Sequence, residues 1–88
     1  MSKPYKGGIS DWEIMFYPQY KLAYPDTNGV ICRGKPQGHP DFVNWIRTSQ
    51  VLKINPERTQ IETENSIYDL IGPGTITDEA RGRLDGRP

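Results

Sequence analysis

Hydrophobic and polar residues alternate most regularly over residues 45–71, and this alternation predicts three β-strands. The predicted strands cover residues 45–54, 60–64 and 67–71. The first is rich in strand-forming residues, but its alternation changes phase at residues 48–50, which we interpret as a β-bulge that bends the strand. Asn55 and Pro56 favour a turn after it, and Asn65-Ser66 favours a two-residue hairpin.

The first half of the chain is less regular and leaves one element open. Ser10, followed three residues later by Glu13, fits a helix-capping box over residues 10–17. The alternation of aromatic and apolar residues in the same segment fits a strand instead, and we favour the strand. Either element would end at Pro18.

Glycine and proline divide the next segment. Asn28-Gly29 is a turn dipeptide, and residues 30–33 after it predict a short strand. Residues 34–40 contain four Gly or Pro and predict a loop.

The two ends of the chain lack apolar periodicity. Residues 1–8 predict a disordered N-terminus and residues 73–88 a flexible C-terminal tail, which leaves one small β-domain at residues 9–72. Turns about ten residues apart suit a small barrel or a strongly bent sheet. The predicted fold is therefore mainly β, as a small single-domain antiparallel meander or an SH3-like barrel with flexible termini.

The charges cancel, with eleven Lys and Arg against eleven Asp and Glu in 88 residues. This balance argues against a dedicated duplex-DNA binder, which needs clustered positive charge, and against an acidic nucleic-acid mimic. Cys32 is the only cysteine, whereas a secreted domain of this size usually carries several disulfides, so we expect a cytoplasmic protein. No apolar run reaches the ~18 residues of a transmembrane helix, and we expect no membrane partner.

The sequence gives little support for a catalytic site or a metal site. Cys32, His39 and Asp41 are the residue types of a thiol nucleophile and its partners, but their surroundings match no nucleophile motif. We interpret Cys32 as a small buried strand residue. A structural zinc site needs about four Cys or His ligands, and the chain has one of each. The sequence therefore predicts a protein that is not an enzyme and uses no cofactor or metal.

Aromatic residues crowd the first quarter of the chain, with basic residues between and after them. Tyr and Trp offer large contact area at low entropic cost and are enriched at interface hot spots, although a core role is the alternative for each of them. The predicted partner-contact residues are Trp12, Phe16, Tyr17, Tyr20, Tyr24, Arg33, Lys35 and the loop residue His39.

Three short stretches resemble small uncharacterised proteins of bacteria and their phages. These stretches are residues 38–42, 45–51 and 63–70, and they combine an Ile-x-Thr-Ser-x-Val strand with a Thr-x-Asn-Ser-x-Tyr-x-Leu hairpin. The resemblance covers about half the chain, supports a compact β-domain and implies no activity. By analogy it implies a mobile-element protein that inhibits a host defence system such as CRISPR.

Three functional hypotheses follow. The first is a non-enzymatic protein-binding module, of the phage anti-CRISPR or other anti-defence type, which occludes a host protein through the N-terminal aromatics or through residues 34–42. The second is a small-barrel nucleic-acid or nucleotide binder, in which a base stacks on Tyr20 or Tyr24. Its phosphate contacts would be Arg33, Lys35, Arg47 and Lys53. The third is a structural subunit of a larger assembly.

Overall fold

The described part of the chain forms one mixed β-sheet and two short helices. The computed structural model describes residues 3–39 and 44–84, and all of its strands and helices lie within those ranges. In chain order they are β1 (Tyr5–Phe16), α1 (Pro18–Ala23), β2 (Val30–Gln37), β3 (Ile46–Arg47), β4 (Val51–Ile54), β5 (Gln60–Thr63), β6 (Ile67–Ile71), β7 (Thr75–Ile76) and α2 (Asp78–Leu84).

Strand β1 lies in the middle of the sheet, because both of its edges are paired. Along one edge it runs antiparallel to β2. Along the other edge it runs parallel to β6 at its beginning and parallel to β7 near its end. The strand predicted over residues 10–17 is therefore confirmed, and it begins earlier than its local sequence pattern indicated.

The prediction of a disordered segment at residues 1–8 is wrong from Tyr5 onwards, because β1 begins there. Long-range contacts order this segment. The backbone N–H of Ile67 donates to the carbonyl of Pro4 at 2.9 Å, and Lys3 forms an ion pair with Glu62 at 2.8 Å. Partners about sixty residues away leave no periodicity in the local sequence.

The sheet is open, with strand order β3-β2-β1-β6-β5-β4 and β7 beside β1. The mainly β prediction is confirmed, and β4, β5 and β6 form the predicted antiparallel meander. The alternative of an SH3-like barrel is wrong, because β3 and β4 end the sheet on opposite sides instead of pairing with each other.

The phase change at residues 48–50 has a different cause from the predicted bulge. It is the connection between two strands, since β3 pairs with β2 and β4 pairs with β5. Thr48 is buried at this connection, where its hydroxyl accepts a hydrogen bond from the backbone N–H of Cys32 at 3.1 Å and donates to the carbonyl of Ser49 at 2.7 Å. The polar side chain thus fits the core because both of its hydrogen-bonding capacities are used.

A β-bulge lies in β1, and the pairing of β4 with β5 also shifts register between Val51 and Lys53. Between Ser10 and Glu13 the register with β2 shifts, so that Asp11 and Trp12 lie opposite Gly34. Asp11 adopts a left-handed φ of 50°. A Cβ on Gly34 would approach the carbonyl oxygen of Ser10 to 2.6 Å. The glycine therefore permits close packing of β2 against the bulge.

Two predicted loops are also corrected. The predicted loop at residues 34–40 is mostly strand, because residues 34–37 belong to β2. Its last residue falls within residues 40–43, which are outside the described residues. The hairpin between β5 and β6 turns through Glu64 and Asn65 rather than through Asn65-Ser66. The Thr63 side chain sets this register, because its hydroxyl donates to the Ser66 carbonyl at 3.0 Å and accepts from the Ser66 N–H at 3.1 Å.

The turn after β4 is confirmed, because the N–H of Arg58 donates to the carbonyl of Asn55 at 3.0 Å. The flexible tail predicted at residues 73–88 is wrong for β7 and α2. Ala80 of α2 is fully buried, and Ile76 and Leu84 pack against the same core. Residues 85–88 lie outside the described residues.

The core lies on one face of the sheet, with α2 packed against it. Its buried members are Ile9, Trp12, Ile14, Val30, Cys32, Ile46, Val51, Ile61, Tyr68, Leu70 and Ala80. Within the two described ranges, neither helix is long and apolar enough to cross a membrane.

Candidate protein-binding surface

The face of β1, β2 and β3 opposite the core carries arginine and aromatic side chains. Residues directly opposite each other in antiparallel strands project to the same face. Glu13 lies opposite Arg33, and Arg33 in turn lies opposite Arg47, so these three side chains form a row across the sheet. Beside the row is a cavity of about 430 Å³, which we call the arginine cleft. It is lined by Tyr17, Ile31, Arg33, Trp45, Ile46 and Arg47.

The two arginines of the row differ in their partners. Arg33 is bound to Glu13, through Nη2 at 2.6 Å and Nε at 2.9 Å from the same carboxylate oxygen. Arg47 forms an ion pair with none of the described carboxylates. Its guanidinium carbon lies 4.5 Å from the centre of the Tyr17 ring, and Nη1 donates to the Tyr17 hydroxyl at 2.8 Å. The row therefore carries one uncompensated positive charge.

A second cavity of about 660 Å³ continues from Arg47, and we call it the helix groove. It lies between the end of α1, the β3–β4 connection and the β5–β6 turn. Tyr20 and Tyr24 of its wall pack against each other with ring centres 4.8 Å apart. Its lining residues are Tyr20, Ala23, Tyr24, Pro25, Asp26, Thr27, Arg47, Thr48, Ser49, Glu64 and Asn65.

Gln50 fixes the three segments that form the helix groove. Its backbone N–H donates to the Tyr20 hydroxyl at 3.1 Å, and its carbonyl accepts from the N–H of Glu64 at 3.0 Å. Its side-chain oxygen accepts from the N–H of Asn28 at 3.1 Å. These bonds connect the groove walls to the start of β4 and hold the Tyr20 side chain in place.

Half of the predicted partner-contact residues line these two cavities. They are Tyr17, Tyr20, Tyr24 and Arg33. The other predicted contacts lie elsewhere, and they are Trp12, Phe16, Lys35 and His39.

Trp12 and Phe16 serve the fold instead. Trp12 is only 4% exposed, so the prediction that it contacts a partner is wrong. The reason is the bulge, which seats the indole in the core, where its N–H donates to the carbonyl of Gly72 at 3.0 Å. Phe16 is partly buried beneath α2, with the guanidinium carbon of Arg83 3.8 Å above its ring centre.

Lys35 and His39 are engaged away from the cavities. Lys35 forms an ion pair with Asp11 at 3.3 Å. His39 stacks on Tyr68 with ring centres 6.1 Å apart. The predicted contact loop at residues 34–42 is therefore largely strand, and its last part lies outside the described residues.

Sequence reasoning missed Trp45 and Gln50 and assigned Arg47 only to a phosphate-binding alternative. Trp45 is 52% exposed, which is unusual for a large aromatic side chain. The signal was present in the alternation, since Ile46 is core and its neighbours Trp45 and Arg47 must then project to the other face. Gln50 gave no local signal, because its role depends on segments distant in sequence.

Cys32 does not have the environment of a nucleophile. It is fully buried, and desolvation raises the pKa of its thiol to about 12, which keeps it protonated. Asp41, the third member of the hypothetical set, lies outside the described residues. Over residues 3–39 and 44–84, no three His, Cys, Asp or Glu side chains are grouped closely enough to hold a metal ion.

No family model matches the chain, and neither the curated proteins nor the solved structures give a significant match. The resemblance to small bacterial and phage proteins consequently stays a prediction. The functional inference rests on the arginine cleft and the helix groove.

Proposed function

We propose that this chain is a non-enzymatic protein-binding module. The observation that carries the proposal is the continuous exposed surface in which the arginine cleft and the helix groove meet at Arg47. Its aromatic and arginine members are Tyr17, Tyr20, Tyr24, Trp45, Arg33 and Arg47. Trp, Tyr and Arg are the residue types that dominate binding energy at protein interfaces.

The exposure of two aromatic residues supports this proposal. Trp45 is 52% exposed and Tyr24 is 56% exposed. Covering them would remove apolar area from water at about 25 cal/mol per Å². Tyr24 directly follows α1, and Trp45 directly precedes β3, which pairs with β2. By covering this part of the partner protein's surface, the module would prevent other molecules from binding there.

The nucleic-acid alternative has less support, because its predicted phosphate contacts do not form one surface. Arg33 is paired with Glu13, and Lys35 is paired with Asp11. Lys53 lies on β4 at the far side of the sheet, opposite Glu62. Only Arg47 of that set adds an uncompensated charge to the surface, and one charge releases few counterions.

Site-specific photo-crosslinking tests the proposal. A photoreactive phenylalanine analogue placed at Trp45 or Tyr24 should crosslink one dominant protein in lysate of the organism that encodes the chain. The matched control is the same analogue at Ile71, which is 44% exposed on β6, away from both cavities. The control should give no such product. Equal crosslinking from Ile71, or no protein adduct from Trp45 and Tyr24, would contradict the proposal.

The cellular role predicted from the resemblance, inhibition of a host defence complex, remains a hypothesis within this proposal. It requires the crosslinked protein to be a component of such a complex. Identification of the adduct by mass spectrometry decides between that role and the third hypothesis, in which the partner is another subunit of a structural assembly.

A further inference from the structure

Resting on the proposed function, we propose that the surface docks an acidic segment of the partner protein. A carboxylate side chain of that segment sits in the arginine cleft between Arg33 and Arg47, and a neighbouring apolar or aromatic side chain packs on Trp45. The occupant is thus a peptide segment that offers one carboxylate to the cleft, rather than a phosphate backbone.

The pairing of Arg33 with Arg47 carries the first step. Like charges directly opposite each other on one sheet face are destabilising. The single carboxylate of the row, Glu13, already binds Arg33 at 2.6 Å. Arg47 therefore has no carboxylate partner within the row, and an anionic partner would supply the missing charge.

The hydrogen bonding of Arg47 carries the second step. A guanidinium has five N–H donors, and the Tyr17 hydroxyl accepts one, from Nη1. Its remaining donors have no acceptor among residues 3–39 and 44–84. Tyr17 engages Arg47 through its ring and through Nη1, so Nε and Nη2 remain for a two-point interaction with a carboxylate.

The surroundings of Arg47 favour a protein over a nucleic acid. Asp26 and Glu64 line the adjoining helix groove, and Glu13 lies at the other end of the arginine row. A run of phosphates across the surface would face these three carboxylates. One acidic residue flanked by neutral or basic ones fits the same surface, with its basic neighbours directed towards Asp26 and Glu64.

The test uses defined peptides and the full chain labelled with ¹⁵N. The acidic probe is a twelve-residue Gly-Ser peptide with one central Glu-Tyr pair, and its matched counterparts carry Gln or Lys in place of the Glu. A twelve-nucleotide thymidine strand represents phosphate chemistry. Titration of the acidic probe should shift the Arg47 Nε and Trp45 indole resonances, and the Gln and Lys probes should bind at least about tenfold more weakly, the effect of losing one charged hydrogen-bonded contact.

Variants locate the effect. Arg47→Gln should weaken the acidic probe about tenfold, and Arg47→Lys should restore part of the loss because it keeps charge without the planar fork. The control is Arg81→Gln, which changes an exposed arginine of α2 outside the arginine cleft and the helix groove. It should leave binding of the acidic probe unchanged.

Three results would overturn the inference. They are no shift with the acidic probe, equal binding of the Gln probe, or preferential binding of the thymidine strand. Photo-crosslinking from Trp45 to a protein, together with any of these, would leave the proposed function standing and remove only the acidic chemistry. A thymidine strand that binds without any protein crosslink would remove both.

Discussion

At the scale of single residues, Trp12 shows how one side chain joins the beginning of the chain to its end. It lies in the bulge of β1, and its indole N–H donates to the carbonyl of Gly72 at 3.0 Å. Gly74 packs so closely on the indole that a Cβ there would lie 2.2 Å from Cδ2. Trp12 thereby fixes the segment that leads from β6 into β7.

Trp12→Phe should destabilise the protein by about 1–3 kcal/mol, because it removes the hydrogen bond to Gly72 and leaves unfilled volume. The chain offers its own control. Trp45→Phe alters the other tryptophan, which is 52% exposed, and should change stability by no more than about 0.5 kcal/mol. Urea unfolding followed by circular dichroism measures both. Similar losses for the two variants would show that Trp12 does not have this role.

At the scale of elements, helix α2 lies in the segment that the sequence predicted to be a flexible tail. The Thr77 hydroxyl accepts a hydrogen bond from the N–H of Ala80 at 3.2 Å, which caps the helix. Arg83 forms an ion pair with Glu79 at 3.0 Å and lies over Phe16. A helix of seven residues is unstable alone, so its contacts with the sheet stabilise it.

Ala80→Glu should destabilise the fold by several kcal/mol, because Ala80 is fully buried and the new carboxylate would enter an apolar core without a partner. Arg81→Glu introduces the same side chain one position later, where the helix is exposed, and should cost about 0.5 kcal/mol or less. Thermal unfolding compares the two. If Ala80→Glu unfolded at the temperature of Arg81→Glu, α2 would not be docked on the sheet in solution.

At the scale of the whole molecule, the sequence predicted what depends on neighbours along the chain. The meander of β4, β5 and β6 and the turn at Asn55 were predictable, because alternation and turn residues are local signals. The parallel pairings of β1 with β6 and β7 were not, since they join segments about sixty residues apart. This is why both ends of the chain were predicted to be disordered.

The candidate surface was predictable in part for the same reason. Composition identified Tyr17, Tyr20 and Tyr24, but Trp12 belongs to the same aromatic group and lies in the core. A bulge between two registers decides which aromatic faces the core, and no local pattern revealed it. The row of Glu13, Arg33 and Arg47 required the strand order itself, which only the fold supplies.

The central position of β1 implies that the sheet unfolds as one unit. Every route between β2–β3 and β4–β6 in the sheet passes through β1. Cys32 reports on this cooperativity, because it is fully buried on β2, between β1 and β3. Its pKa is raised from 9.0 to about 12 in the folded chain, so its contribution to stability is complete below pH 9 and is lost as pH rises towards 12.

Labelling of Cys32 by a disulfide reagent at pH 8 should therefore require global unfolding. Folded chains keep the thiol buried and protonated, whereas roughly a tenth of unfolded chains, whose thiol pKa is 9.0, carry the thiolate at pH 8. When opening and closing are fast relative to labelling, the opening free energy derived from the rate should equal the unfolding free energy from circular dichroism. Trp12→Phe lies on β1 and not on the labelled strand β2. It should lower the opening free energy and the unfolding free energy by the same amount. If the opening free energy were several kcal/mol below the free energy of global unfolding, β2 and β3 would detach without the rest of the sheet. The arginine cleft would then be a mobile edge of the sheet and not a preformed docking site.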